Sequence, residues 1–254
     1  GYVDLSKLEF LILDEADRML DMGFLGDIQR VISFLPEDRH TLLFSATMPP
    51  KIRSLAKEIL YKPKEITIAV SKPAEGITQM VYSIYDTQKI ETLKHVFKTQ
   101  DVQSMIIFAS RKTSVERIAK SLQSMGYDAQ AMHSDRDQSE RERIMNDFKN
   151  HKVRILVATD ILSRGIDVDE LSHVVNYDVP PDPEDYVHRI GRTARADKTG
   201  VAITFVNEDD QRRFARAEKL IERELEKLPP PEELGEGPVY KGVGGSRGGG
   251  RNGG

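Results

Sequence analysis

The 254-residue chain contains no cysteine. Without a thiol there is no disulfide framework, no thiolate metal site and no cysteine nucleophile, and the absence fits a reducing compartment. No apolar run is long enough to cross a bilayer and the start carries no signal-peptide pattern, so a soluble, cytoplasmic protein with no membrane partner is expected. Charge of one sign is also scarce, since 37 Lys and Arg stand against 41 Asp and Glu for a formal net charge of -4. That argues against a uniformly basic nucleic-acid coat and leaves room for a local basic groove. The chain lacks an initiator methionine, opening at Gly1-Tyr2-Val3-Asp4 and running directly into a strand, which reads as a truncation upstream. Its length suffices for one large or two modest domains.

What is present is clustered. The stretch Tyr186-Val187-His188-Arg189-Ile190-Gly191-Arg192-Thr193-Ala194-Arg195-Ala196 sets four cationic or ionisable side chains within eight residues. Helical spacing predicts Arg189 and Arg192 near one face, with Arg192 and Arg195 on consecutive turns. Forked, permanently charged guanidinium groups match phosphate oxygens, so the cluster suits a polyphosphate in a cleft. A solvated basic helix accounts for the segment alone equally well. The balance shifts with Leu13-Asp14-Glu15-Ala16-Asp17, where three carboxylates follow an apolar strand. One segment suits phosphate and the other a metal ion, as two halves of one nucleotide site would.

Taken in order, Leu8-Glu9-Phe10-Leu11-Ile12-Leu13 reads as a strand buried on both faces of a parallel sheet. Asp14 and Glu15 fall at its carboxyl end, where open α/β sheets carry ligand groups. Phe24, Ile28, Val31, Ile32 and Leu35 recur at helical spacing up to Pro36. The strand His40–Phe44 then ends in Ser45-Ala46-Thr47. Met48-Pro49-Pro50 opens a helix with Ile52, Leu55, Ala56, Ile59 and Leu60 on one side, and a further strand is expected over Glu65–Ala69. The polar residues 70–76 read as an interdomain linker. A second alternation follows, with strands expected at 77–84, 104–109, 127–131, 154–158, 172–177 and 200–206. Helices near 88–98, 112–125, 138–149, 184–190 and 208–227 separate them, which implies a parallel sheet covered on both faces. Pro229-Pro230-Pro231 is expected to end the last helix. Residues 229–254 have almost nothing apolar to bury and are expected to be disordered.

Asp14 to Asp17 at a strand end can hold a hydrated magnesium ion, a hard cation that prefers oxygen ligands and keeps several waters. A neighbouring Glu is placed to orient and deprotonate an attacking water, although an acidic helix start has the same composition. Ser45 and Thr47 offer hydroxyls beside that group, or simply cap a helix. Thr159-Asp160-Ile161-Leu162-Ser163-Arg164-Gly165-Ile166-Asp167 follows the apolar strand Ile155–Ala158. It can present a hydroxyl, a guanidinium and a glycine amide to phosphates, with Asp167 toward a ribose hydroxyl; a capped turn is the alternative.

In this order the acidic motif, Ser45-Ala46-Thr47, the Thr159–Asp167 run and His188–Arg195 resemble the DEAD-box RNA helicases. Arg18-Met19-Leu20-Asp21-Met22-Gly23-Phe24 leans toward the RhlE-like subgroup. Met105-Ile106-Ile107-Phe108-Ala109-Ser110-Arg111 and Gln138-Ser139-Glu140-Arg141 match two further family segments, and the similarity covers nearly all of Leu8 to Val206. The resemblance implies two RecA-like parallel-sheet α/β domains, the first present only as its carboxyl-terminal part (1–69), the second spanning 77–228. It implies ATP and Mg2+ as cofactors and RNA as partner, held mostly through its backbone. Asp14 would position the metal and Glu15 would activate water. Asp17, Ser45, Thr47 and His188 would couple hydrolysis to RNA. Arg192 and Arg195 would be arginine fingers, with Asp167 and Arg189 on the nucleotide. Arg141, Thr159, Arg164 and Gly165 would hold RNA, with Arg111 and Lys112 adding charge or serving as ordinary helix-start residues.

Two departures are small: His133-Ser134-Asp135 stands where the family has His-Gly-Asp, and Thr193-Ala194-Arg195 where it has Thr-Gly-Arg. A larger one is that the 254 residues contain no Gly-x-x-x-x-Gly-Lys-Thr phosphate loop and no adenine-reading Gln motif. Such a loop cradles the β- and γ-phosphates, so this chain by itself is not expected to turn over ATP. The reading is an ATP-dependent RNA helicase. An RNA-binding module without ATPase activity and a DNA-directed translocase are the alternatives. Arg247 and Arg251 in the Gly-rich end either add nonspecific RNA affinity or belong to an inert tail.

Overall fold

The computed structural model describes residues 3–67, 76–159, 168, 171–193 and 199–242. The chain falls into two compact units that divide between Val70 and Ser71.

In the first unit, β1 (Phe10–Leu13) runs parallel to β2 (His40–Leu43), with Phe10 beside His40 and Leu13 beside Leu43. Between them lie α1 (Ala16–Asp21) and α2 (Leu25–Ile32), and α3 (Pro50–Ile59) follows β2. Pro50 stands in the first turn of α3, where no intrahelical bond needs its missing amide. Side chains alternate along a strand, so Leu13 packs with Ile28, Leu55 and Ile59 while Phe10 and Ile12 are each 60% exposed. Burial on both faces, expected from the apolar run, is thus met on one face only, because the helices lie on the Leu13 side. The strand expected over Glu65–Ala69 does not form through Thr67. Ile66 is exposed there, so it supplies no apolar burial to hold a third strand; Ile68 and Ala69 lie outside the described residues.

The second unit is a seven-stranded, wholly parallel sheet. Its strands are β3 (Ile77–Ser83), β4 (Met105–Phe108), β5 (Ala129–Met132), β6 (Ile155–Ala158), β7 (His173–Asn176), β8 (Gly200–Val206) and β9 (Lys227–Leu228). The spatial order is β5-β6-β4-β7-β8-β3-β9. The α-helices among the described residues are α4 (Lys89–Thr99), α5 (Lys112–Ser124), α6 (Gln138–Lys149), α7 (Pro183–Ile190) and α8 (Gln211–Ile221). Alternation sorts the strands onto two faces. Ile107, Val157, Val175 and Ile203 pack with Leu93 of α4 and with Val115, Ile118 and Leu122 of α5. Ile106, Leu156 and Val174 pack with Ile144 and Phe148 of α6. Tyr186 and Ile190 of α7 meet Phe214 and Ile221 of α8 over Val81 and Val206. Burying one such Ile, Leu or Phe contributes about 1.5–3 kcal/mol. Because every strand points the same way, the segments after β4, β5, β6 and β7 emerge at one edge of the sheet.

Two expectations about the carboxyl-terminal part are corrected. The last helix stops at Ile221, with Glu222 in the left-handed region at φ 53°, and the chain returns as β9 beside β3, Val81 opposite Lys227. Phe214, Ile221 and Leu225 share one core, so apolar spacing alone could not reveal the turn between the last two. Residues 229–242, expected to be disordered, instead form a strap across the carboxyl end of β3. Ser83 Oγ donates to Pro238 O at 2.7 Å, and Gln88 Nε2 donates to Leu234 O and Glu236 O. Gln211 Nε2 donates to Val239 O, and the Tyr240 hydroxyl donates to Glu218. The strap is held mainly through its own carbonyls, which composition does not display. Residues 243–254 lie outside the described residues.

Candidate functional site

The acidic segment begins where β1 ends. Asp14 is exposed, and its Oδ1 accepts the Glu15 amide at 2.9 Å. Glu15 caps α1 at φ 49°, ψ 48°, and its carboxylate pairs with Arg18. A left-handed non-glycine residue costs on the order of 1–2 kcal/mol, and such residues cluster at functional sites. Asp17 is 8% exposed and turned inward. Its Oδ2 accepts from the Thr47 amide at 2.8 Å and from Thr47 Oγ1 at 2.9 Å, while its Oδ1 accepts the Arg18 amide at 3.0 Å. Ser45 Oγ accepts the Asp17 amide at 3.2 Å and donates to Thr47 O at 2.7 Å. Register explains the meeting: Leu13 lies beside Leu43, so the segments leaving β1 and β2 emerge together. Bonds to a carboxylate are stronger than neutral ones, about 1.5–3 kcal/mol each. Asp17, Ser45 and Thr47 are therefore locked into one unit behind an exposed Asp14 and Glu15.

Among the described residues no group of three or more His, Asp or Glu side chains could hold a metal ion. The single exposed Asp14 carboxylate suits instead a magnesium ion that keeps most of its waters, the usual mode of that cation.

In the second unit, Ser110 follows β4, Thr159 follows β6 and Asp178 follows β7. Asp178 Oδ2 accepts from both the Ser110 amide and hydroxyl, each at 2.8 Å, and its Oδ1 accepts from Lys89 Nζ at 2.9 Å. Burial pushes the Asp178 carboxyl up, but the Lys89 ammonium and the Ser110 donors outweigh it and hold the group below the ordinary carboxylate range. Burial likewise pulls the Lys89 ammonium down, and Asp178 and Asp86 reverse that. Thr159 is half-buried, its amide donating to Met132 O at 3.4 Å. Arg141 sits in the first turn of α6, below the Asp137 cap that accepts the Glu140 amide at 2.8 Å. Its Nε is buried with no hydrogen-bond partner among the described residues. Lys112 pairs with Asp135 at 2.7 Å in an exposed bridge, which is worth little in water.

The basic segment differs from its helical-spacing prediction. Helix α7 ends at Ile190 with Gly191 as its cap, so Arg192 lies in a turn and not on the face of Arg189. His188 is exposed on α7. Arg189 is 4% exposed. Its Nη1 donates to Asn176 Oδ1 and to Asp178 O, each at 2.9 Å, and the guanidinium lies 4.8 Å from the Phe108 ring centroid. A guanidinium so placed braces β4 and β7 from within the unit. Arg192 is half-buried. Beyond it Thr193, fully buried, donates from Oγ1 to Leu171 O at 2.5 Å and fixes the chain after the turn. Arg195, Asp167, Arg164 and Gly165 lie outside the described residues. Sequence reading passed over Lys89, Asn176, Asp178 and Thr193; the one available signal was the polar Asn176-Tyr177-Asp178 run closing an apolar strand.

Comparison with known proteins agrees with these segments. The DEAD/DEAH box helicase family matches residues 2–55 and the helicase conserved C-terminal domain matches residues 88–197. The DEAD-box ATP-dependent RNA helicase CshA of Geobacillus kaustophilus (strain HTA426) is 39% identical over 232 residues, covering 91% of this chain and 50% of that protein. The ATP-dependent RNA helicase DeaD of Mycobacterium tuberculosis (strain ATCC 25618 / H37Rv) is 41% identical over 235 residues, covering 91% and 41%. The chain thus spans about half the length of the curated relatives it matches. Among solved structures, S. cerevisiae Dbp5 bound to RNA and ADP BeF3 is 32% identical with a TM-score of 0.77, covering 91% of this chain and 62% of that one. A DEAD box protein from the hyperthermophile Methanococcus jannaschii is 37% identical with a TM-score of 0.57, covering 89% and 61%. No described helix is long and apolar enough to cross a membrane. Parallel α/β units carrying these motifs in this order, together with relatives of this identity along nine-tenths of the chain, place it in the DEAD-box helicase family.

Proposed function

We propose that the chain carries the hydrolytic carboxylates and the RNA-facing edge of an ATP-dependent RNA helicase acting in the cytoplasm. The observation that carries the reading is the Asp17–Thr47–Ser45 lock directly behind the exposed Asp14 and Glu15. It joins the acidic segment to the hydroxyl segment, so a displacement of one moves the other. Asp14 would hold magnesium, which when bound neutralises charge on the phosphates. Glu15, exposed beside it, accepts the proton of the attacking water. Arg192 and Arg195 are assigned to the phosphoryl group, where a guanidinium contributes about 10³–10⁵ in rate. Asp167 is assigned to the ribose and His188 to coupling. Arg141, Thr159, Arg164 and Gly165 are assigned to the RNA backbone. Yeast Dbp5, whose solved complex contains RNA and ADP BeF3, supports RNA and a nucleotide as ligands. Recognition through phosphates and 2′-hydroxyls carries little sequence information. The Arg18–Phe24 run inclines us toward the RhlE-like subgroup.

The 254 residues contain no phosphate loop of the Gly-x-x-x-x-Gly-Lys-Thr form, so the test uses the complete reading frame that encodes them. Arg192→Ala is expected to abolish RNA-stimulated hydrolysis while ATP binding stays within a few-fold of the parent. Turnover near the parent level would remove Arg192 from the mechanism.

A further inference from the structure

Lys89 is 1% exposed, yet it opens α4 well away from the acidic and basic segments in sequence. A buried ammonium is costly unless it is paired and hydrogen-bonded. Here it is, with Nζ at 2.9 Å from Asp178 Oδ1, 2.9 Å from Asp86 Oδ1 and 5.2 Å from the Tyr177 ring centroid. The arrangement fixes which way the Asp178 carboxylate faces. One oxygen is taken by Lys89, so the other points at Ser110, whose amide and hydroxyl it accepts at 2.8 Å. The main chain of the same residue holds Arg189, three residues before Arg192. Asp178 is therefore a clamp between the segment after β4 and the last turn of α7, and Lys89 sets the clamp.

We propose that Lys89 is a positioning residue. Through Asp178 it holds Ser110 so that the following Arg111 and Lys112 face RNA phosphates, and through Arg189 it keeps the end of α7, from which Arg192 follows, in register with them. The inference rests on the RNA reading given above. It goes beyond that reading in assigning control of the RNA-facing segment to a buried residue that touches no ligand. Packing alone asks for none of this, since a Met at position 89 would fill a similar volume without orienting a carboxylate.

The experiment uses the 254-residue chain and three variants, Lys89→Met, Asp178→Asn and Ser110→Ala. Dissociation of a fluorescently labelled single-stranded oligouridylate is followed by anisotropy at fixed low salt. Exchange of the Ser110 amide is measured on the same samples. Lys89→Met is expected to weaken RNA binding roughly tenfold, the factor that corresponds to about 1.4 kcal/mol, and to speed Ser110 exchange by at least a similar factor. Combining it with Ser110→Ala should add little, because groups acting through one network are not additive. A folded Lys89→Met chain that binds within about twofold of the parent, or additive effects in the double variant, would overturn the proposal. If Lys89→Met does not fold, Asp178→Asn keeps the shape of the clamp and removes its charge. Unchanged RNA affinity and unchanged Ser110 exchange in that variant would equally overturn it. A parent chain that binds no oligouridylate would refute the underlying functional reading, whereas a parent that binds with variants that bind equally would refute the positioning role alone.

Discussion

Gly237 is where the strap comes closest to the sheet, and replacing it isolates what the strap contributes. A Cβ built at this position would lie 2.1 Å from Ser83 O and 3.0 Å from the Pro230 ring. The first partner is backbone at the end of β3 and has no rotamer to yield, so Gly237→Ala must push the strap outward by about 1.4 Å to restore an ordinary contact distance of about 3.5 Å. That displacement breaks the 2.7 Å bond from Ser83 Oγ to Pro238 O and strains the 3.1 Å bond from Gln88 Nε2 to Glu236 O. Two net hydrogen bonds at about 0.5–1.5 kcal/mol each, added to an overpacking cost of about 1–3 kcal/mol, give a destabilisation of roughly 2–6 kcal/mol. Urea unfolding of the parent and variant chains, followed by the near-ultraviolet signal of Tyr82 beside the strap and Tyr240 within it, would register it as a lowered midpoint. A variant within about 0.5 kcal/mol of the parent, the ordinary range for surface substitutions, would show that residues 229–242 are not integral to the second unit.

Other outcomes follow from the site. Asp17→Ala removes two bonds to Thr47 and is expected to destabilise the first unit by roughly 3 kcal/mol, with Thr47→Val costing about half that; exchange of the Thr47 amide would report both. The Lys89–Asp178 pair sets a pH window. Asp178 is held below its ordinary value of 3.8, so its stabilisation is present above that pH and is lost as pH falls through the lowered native value. Lys89 is held above 10.5, so its share is complete below that pH and is lost as pH rises through the raised native value. The stability difference between parent and Lys89→Met should accordingly be flat across neutral pH and shrink at both extremes, as unfolding at a series of pH values would show. Glu15→Gln keeps the backbone and most of the side-chain shape, and in the complete reading frame it should abolish hydrolysis while RNA binding persists.

The acidic and hydroxyl segments were legible because each follows an apolar strand directly, and strand ends in parallel sheets converge. Asp17, Ser45 and Thr47 are short polar residues that such an edge brings within bonding distance. Lys89 was not legible. A lysine near the start of an amphipathic helix reads as surface, and its partner Asp178 lies 89 positions away. The protein acceptors of Arg189, Asn176 and a main-chain carbonyl, were not legible for a related reason: charge within a basic cluster points to a ligand and does not reveal acceptors on another strand. The strap was misread because its Pro, Glu and Gly content suggests solvation, while Ser83, Gln88 and Gln211 reach out to its carbonyls. The one-sided burial of β1 escaped notice because an apolar run states that both faces can be covered, not that both are.

The most direct test of the functional reading is ATP hydrolysis by the complete reading frame that encodes this chain, measured with and without single-stranded RNA. Strong stimulation by RNA is expected, lost in Glu15→Gln and in Arg192→Ala. Hydrolysis indifferent to RNA, or none under saturating ATP, magnesium and RNA, would contradict it.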